Sequence, residues 1–61
     1  MTLKEFDEVC LNKYFVGVKK ETAIVDSFTN DNIVAKERYK DCTITSVHIF
    51  DEDELIVNIM I

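Results

Sequence analysis

The first residues of the chain carry apolar side chains at helical spacing. Thr2 followed three residues later by Glu5 matches a capping box, in which each residue bonds the backbone of the other. The pattern predicts a helix over residues 2–12. The apolar stripe of this helix consists of Leu3, Phe6, Val9 and Cys10.

Four later runs are rich in β-branched and aromatic residues, which are typical of strands. The first two are "YFVGVK" (14–19) and "TAIVDSF" (22–28), and "KE" between them predicts a two-residue turn. The last two are "CTITSVHIF" (42–50) and "LIVNIMI" (55–61), joined by a four-residue loop, "DEDE". Gly17, inside the first run, indicates a bulge or a close backbone approach.

The segment between the two strand pairs, "TNDNIVAKERYKD" (29–41), is open to two interpretations. Its first residues favour a turn and a helix cap. "NIVAKERY" then forms either two helical turns or a loop with an extended start, and we favour the short helix.

These elements predict one domain, 1–61, of the α+β class. The order is α-β-β-(short α)-β-β, with an antiparallel sheet and the first helix packed on one face in two layers.

The fourth strand is apolar on both sides, which predicts burial on both sides. If Val47 and Ile49 face the first helix, Ile44, His48 and Phe50 face away from it, beside Ile56 and Met60. That second face needs a cover, either the short helix, a second copy of the chain in a homodimer, or a target protein.

The charge balance and the apolar runs of the chain indicate which classes of partner to expect. The formal net charge is −5, from 12 acids and 7 bases. This balance disfavours direct binding to nucleic acid, which requires a basic surface, and favours a basic protein partner, although solubility alone also selects acidic chains. No run approaches the roughly 20 apolar residues that cross a bilayer, so we expect no membrane partner. The acidic start is unlike a signal peptide, and we expect a cytoplasmic protein with reduced cysteines.

Soft metal ligands are few. Cys10, Cys42 and His48 are the candidates for zinc, with Asp41 as a carboxylate that completes a site. No CxxC or HxxxH spacing supports zinc, and buried free cysteines are the simpler interpretation. No cofactor is therefore expected, and zinc remains the alternative.

No catalytic motif stands out. Asp26 is the only acid within an apolar run, and a satisfied group at a strand edge explains it better than catalysis does. No nucleophile lies beside His48 in the sequence, and no glycine-rich loop is present. The sequence therefore predicts a protein that is not an enzyme.

Acidic residues cluster at two places. Asp51, Glu52, Asp53 and Glu54 form the loop of the last hairpin, and Glu5, Asp7 and Glu8 lie near the start of the first helix. A wet turn explains the loop equally well, but the clustering favours contact with a basic partner. The predicted partner-binding residues are these seven acids together with His48 and Phe50.

The order of these motifs resembles that of a known group of short proteins. "MTLKEF", two β runs, a connector and "TSVHIFDEDELIVNI" resemble very short acidic proteins encoded by phages and prophages of Firmicutes, although "KE" replaces the expected Gly or Asp turn. The resemblance implies a non-enzymatic inhibitor of host defence of the anti-CRISPR kind, acting in the host bacterial cytoplasm. It would bind a Cas9-type nuclease and block DNA loading through an acidic surface. The alternatives are a small structural or regulatory interaction module, with or without zinc, and a metal-dependent nuclease.

Overall fold

The computed structural model describes all residues, 1–61, as two helices and four strands. In chain order they are α1 (Leu3–Val9), β1 (Lys13–Lys20), β2 (Ala23–Thr29), α2 (Ile33–Arg38), β3 (Thr43–Asp51) and β4 (Glu54–Met60). This confirms the α+β class and the order of elements, including the short helix within residues 29–41. The predicted first helix was too long, because Cys10 leaves helical geometry at φ −88° and ψ 122°.

Both helices begin with side-chain caps. The Glu5 backbone N–H donates to Thr2 Oγ1 at 3.3 Å, and the Thr2 N–H donates to Glu5 Oε1 at 2.8 Å, which confirms the predicted capping box. At α2, the Ala35 N–H donates to Asn32 Oδ1 at 3.0 Å. These bonds satisfy N–H groups that have no partner inside a helix, and they set where each helix starts.

The sheet is mixed, and the prediction of an antiparallel sheet was wrong for its central pair. The strand order is β2-β1-β4-β3, with β1 parallel to β4 and the other two pairs antiparallel. The two hairpins are visible in the sequence because they are local. Helix α2 carries the chain from one edge of the sheet to the other, which places β4 beside β1 in the same direction. That pairing is non-local and leaves no mark in the sequence.

Both hairpin turns differ from the predicted ones. The first turn is formed by Glu21 and Thr22, one residue later than "KE", with Glu21 in the left-handed region at φ 58°. The second has only Glu52 and Asp53 at its tip. Asp51 and Glu54 pair with each other as the ends of β3 and β4, so the predicted four-residue loop is a two-residue turn.

The core lies between one face of the sheet and both helices. Phe6 of α1 contacts Tyr14 edge to face, with ring centroids 5.2 Å apart. Tyr39, which follows α2, stacks on Phe28 of β2 at 5.8 Å. Both helices therefore pack on the same side, and the short helix does not cover the second face. The core residues are Leu3, Tyr14, Val16, Val18, Phe28, Ala35, Val57 and Ile59.

A bulge in β3 corrects the expected placement of Ile44. Directly opposed residues on neighbouring strands share a face, and Ile44 pairs with the buried Ile59. Ile44 therefore lies on the helix side and packs against the core. The register shifts before Ser46, so His48 and Phe50 do lie on the opposite face, as predicted. That face has no helix over it, and β4 is fully buried on one side only.

Candidate functional site: the open face of the sheet

One face of the sheet is covered by neither helix, and we call it the open face. On β1 and β4 the residues of the open face alternate with the buried core residues, because successive side chains in a strand point to opposite sides. The register of the four strands then assigns its residues. They are Lys13, Phe15, Gly17, Lys19, Ile24, Ser27, Thr29, Thr43, Ser46, His48, Phe50, Asp51, Glu54, Ile56, Asn58 and Met60.

Aromatic side chains occupy one end of the open face. Phe15 and Phe50 meet edge to face with ring centroids 5.8 Å apart, although β4 separates their strands. The Lys13 ammonium lies 5.5 Å from the centre of the Phe15 ring. Ile56 on β4 pairs with Phe15 on one side and with His48 on the other. Phe50 remains 61% exposed while Phe15 and Ile56 are half-buried, so this end presents apolar area to solvent.

The middle of the open face is polar. Asn58 Nδ2 donates to Ser46 Oγ at 2.9 Å. Asn58 lies directly opposite Gly17, and a Cβ at that position would come within 2.9 Å of Asn58 Oδ1. The glycine therefore provides the close approach that the sequence indicated, while the bulge in β1–β2 falls just after it, between Val18 and Lys19.

The acidic hairpin, Asp51–Glu54, lies at the aromatic end of the open face. Asp51 Oδ1 accepts the Glu52 N–H at 2.7 Å. Glu52 and Asp53 are exposed at the tip, and Glu54 is paired in register with Lys13. Three predicted binding elements are thus brought together: Phe50, His48 and the four acids.

The second acidic cluster lies elsewhere. Thr2 bridges to Thr43 at the start of β3, whereas the acidic hairpin follows its end. β3 has 9 residues, so at about 3.3 Å per residue its ends are roughly 26 Å apart. Glu5, which is bonded to Thr2, belongs to the far end. Hydrogen bonds from the Thr2 backbone and side chain lower the pKa of Glu5, so this carboxylate serves the helix cap.

Asp7 is also engaged within the protein. Its Oδ1 accepts from the hydroxyl of the buried Tyr14 at 2.7 Å, and Lys36 Nζ lies 3.3 Å from both of its oxygens. Burial first, and then the hydrogen bond to Asp7, raise the pKa of Tyr14. Asp7 thus joins α1, β1 and α2. Of the predicted second patch, only Glu8 is exposed and without such a bond.

The candidate zinc ligands are not brought together. The Cys42 backbone carbonyl accepts the Leu3 N–H at the start of α1, while Cys10 lies just after the end of this helix. The 7 residues of α1 separate them by about 10 Å along the axis, whereas two sulfurs on one zinc ion lie within about 4 Å. His48 is on the opposite face of the sheet. Burial and then the Asp41 carboxylate raise the pKa of Cys42, which favours the thiol over the metal-binding thiolate.

Asp26 has a structural partner. Tyr39 donates its hydroxyl to Asp26 Oδ2 at 2.9 Å, and the Ser27 N–H donates to Oδ1 at 2.8 Å. These bonds agree with the interpretation of Asp26 as a satisfied group at a strand edge. They also tie the end of α2 to β2.

A shallow cavity of about 260 Å³ lies between the two helices. Its charges are largely matched, since Lys36 pairs with Asp7 and Lys40 Nζ lies 2.8 Å from Glu37 Oε1. The lining residues are Leu3, Lys4, Asp7, Ile33, Lys36, Glu37 and Lys40. The three lysines exceed the two carboxylates by one charge, an excess too small to single out a ligand.

Two residues of the site were missed from the sequence, Phe15 and Asn58. Both stand in strands whose alternate positions are strongly apolar, and both fall on the opposite parity from the buried valines. That parity was available as a signal. The contact between Phe15 and Phe50 was not, because it depends on β4 lying between their strands.

No protein-family model, curated protein or solved structure matches this chain. Neither helix has the length and apolar character that crossing a membrane demands.

Proposed function

We propose that this protein is a non-enzymatic binding module that docks the aromatic end of its open face and its acidic hairpin onto a basic protein surface. The observation that carries the proposal is the contact of the half-buried Phe15 with the exposed Phe50, beside Asp51–Glu54. Aromatic side chains at the centre of an interface, rimmed by charge, are the arrangement in which most binding energy is found.

The two parts of the site have different roles. Phe50 and Ile56 supply apolar area that is lost from water on docking, which stabilises the complex. Glu52 and Asp53 are exposed and each contributes little to affinity, about 0.2–1 kcal/mol per ion pair. Together they attract a basic surface at long range, which raises the association rate at low salt.

The specific target that we propose is a Cas9-type nuclease in its guide-bound state. The support is the resemblance of "MTLKEF" and "TSVHIFDEDELIVNI" to short phage proteins, together with the net charge of −5. Such nucleases hold nucleic acid in positively charged channels. An acidic module seated at a channel would exclude the DNA, and this mode needs no catalytic group.

DNA cleavage by a Cas9-type nuclease with its guide, measured with increasing amounts of this protein, tests the proposal. The native protein is expected to inhibit, and Asp51, Glu52 and Asp53 replaced together by Lys should weaken inhibition strongly. A matched variant carries Lys at Glu21, Asp31 and Asp41, which are exposed acids outside the hairpin. It makes the same change in net charge and should still inhibit.

Three results would count against the proposal. Absence of inhibition by the native protein would overturn the nuclease as target. Equal losses of inhibition in the two lysine variants would show that net charge matters and the position of the acids does not. Inhibition that persists unchanged in the hairpin variant would remove the acids from the site.

A further inference from the structure

We infer that the outer edge of β3 pairs with the same edge of a second copy of this chain, so that two sheets join into one of eight strands. The inference rests on the fold and does not depend on the proposed function. β3 is an edge strand, and edge strands in folded proteins are usually covered or protected by charge, Pro or bulges, because an unpaired edge is a template for another strand.

The free edge of β3 is short and defined at both ends. At its start the Ile44 N–H, which points away from β4, donates to the Met1 carbonyl at 2.9 Å, and Thr2 bridges to Thr43. The first residues of the chain therefore cover that part.

The pairing of β3 with β4 is irregular at two places, between Ile44 and Ser46 and between Ile49 and Asp51. A regular, uncovered stretch remains at its centre, Ser46–Ile49.

This stretch lacks the protection that edges normally carry. It contains no charged residue, Pro or Gly, and its two apolar side chains, Val47 and Ile49, both stand on the helix side. Val47 is exposed on the helix side, Ile49 is 82% exposed on the same side, and Phe50 is exposed on the other. Edge β2 also has a register break, at Val25, but the regular stretch after this break begins with the charged Asp26.

The sequence of the stretch fits a twofold antiparallel pair centred on His48. In that register Val47 of each copy lies opposite Ile49 of the other, and both are on the helix side, so the apolar residues match face by face. Asp51 lies opposite Thr45, and the two acidic hairpins point to opposite ends of the pair. A second copy therefore satisfies the edge without bringing the two acidic hairpins together.

The symmetry also explains why the second copy is the occupant that fits. A pairing of β3 with β3 closes after two copies, whereas β3 on β2 would continue as a filament. The pair buries a small area, below the size of a standard interface, so we expect a weak dimer with a dissociation constant of about 1–100 µM. The open faces of the two copies would become one continuous surface.

Sedimentation of the whole chain over a concentration series around that range tests the inference. The native protein should shift from monomer to dimer as concentration rises, and Ile49→Lys should weaken the dimer at least tenfold. Ile33→Lys is the matched control, because Ile33 on α2 is 76% exposed and the charge change is the same. It should dimerise like the native protein. A native chain that stays monomeric at several hundred micromolar, or equal effects of the two lysines, would overturn the inference.

Disulfide trapping provides a second readout that identifies the edge. In a chain with Cys10→Ala and Cys42→Ala, His48→Cys should form a covalent dimer on mild oxidation, since opposed residues in such a pair have Cα atoms about 4.5–5.5 Å apart. Val25→Cys on the β2 edge should not. Cross-linking at Val25 instead of His48 would overturn the assignment to β3.

Discussion

Phe15 and Phe50 touch edge to face across β4, with ring centroids 5.8 Å apart, on the one side of the sheet that no helix covers. Both helices pack on the other side, held there by Tyr14 and Tyr39. A sheet with one face on a core and one in solvent usually alternates apolar and polar residues cleanly. Here the solvent side keeps aromatic rings, and this departure distinguishes the candidate site.

The hydrogen bond from Tyr14 to Asp7 should contribute measurably to stability. Tyr14→Phe removes it, and since its acceptor is a charged group we expect a loss of about 1.5–3 kcal/mol in the free energy of unfolding. Lys36 continues to pair with Asp7 in the variant. Urea unfolding at neutral pH measures the loss, and a loss below about 0.5 kcal/mol would contradict the contact.

The same tyrosine predicts a dependence on alkaline pH. Burial and Asp7 raise the pKa of Tyr14 in the folded protein above the usual value of 10.0. The unfolded chain therefore releases this proton first, so the stabilisation is complete below about pH 10 and is lost as pH rises further. The stability difference between the native protein and Tyr14→Phe should shrink above pH 10. A stability difference that grows above pH 10 would contradict a raised pKa of Tyr14 in the folded protein.

The cap of α1 predicts a dependence on acid pH. Bonds from Thr2 lower the pKa of Glu5 in the folded protein, so its stabilisation is present above the unfolded pKa, near 4.5, and is lost as pH falls through the folded one. Glu5→Gln should be less stable than the native protein at pH 7 and equally stable near pH 2. Glu8→Gln, an exposed neighbour, is the control and should change little at either pH.

Gly17 and Asn58 should be energetically coupled. Ala at position 17 meets Asn58 Oδ1 at 2.9 Å and disturbs its bond to Ser46, whereas Gly→Ala without such a clash stabilises by about 0.4–1 kcal/mol. Gly17→Ala should therefore be more favourable by about 1 kcal/mol in an Asn58→Ala background than in the native one. Additive effects in this double-mutant cycle would show that the two side chains do not meet.

Metal removal should leave the protein unchanged. Cys10 and Cys42 lie at opposite ends of α1, and His48 is across the sheet. Treatment with a chelator is therefore expected to leave the melting temperature where it was. A fall in melting temperature, reversed by added zinc, would contradict this placement, because a structural zinc site contributes directly to folding.

Local features of this fold could be predicted from the sequence, and non-local ones could not. The capping box at Thr2 and Glu5, the two hairpins and the short α2 all depend on residues close together in the chain. The parallel pairing of β1 with β4 depends on the path of α2 across the sheet. The bulge after Ile44, which reverses the expected face of that residue, depends on register against β4.

The candidate site shows the same difference between local and non-local features. Phe50 and the acids of the hairpin are neighbours in sequence and were predicted together. Phe15 reaches them only through the parallel pair, so it was missed. The cluster of Glu5, Asp7 and Glu8 was read as one patch, but hydrogen bonding to Thr2, Tyr14 and Lys36 cannot be read from spacing alone.

The measurement that tests the central claim most directly is the affinity of two matched variants for a guide-bound Cas9-type nuclease. Phe50→Ser removes an exposed apolar side chain from the open face, and Ile33→Ser removes one from α2, where no docking is proposed. Interface anchors cost about 2 kcal/mol or more when truncated, so Phe50→Ser should bind at least tenfold more weakly while Ile33→Ser binds like the native protein. Native affinity in Phe50→Ser would contradict docking through the open face.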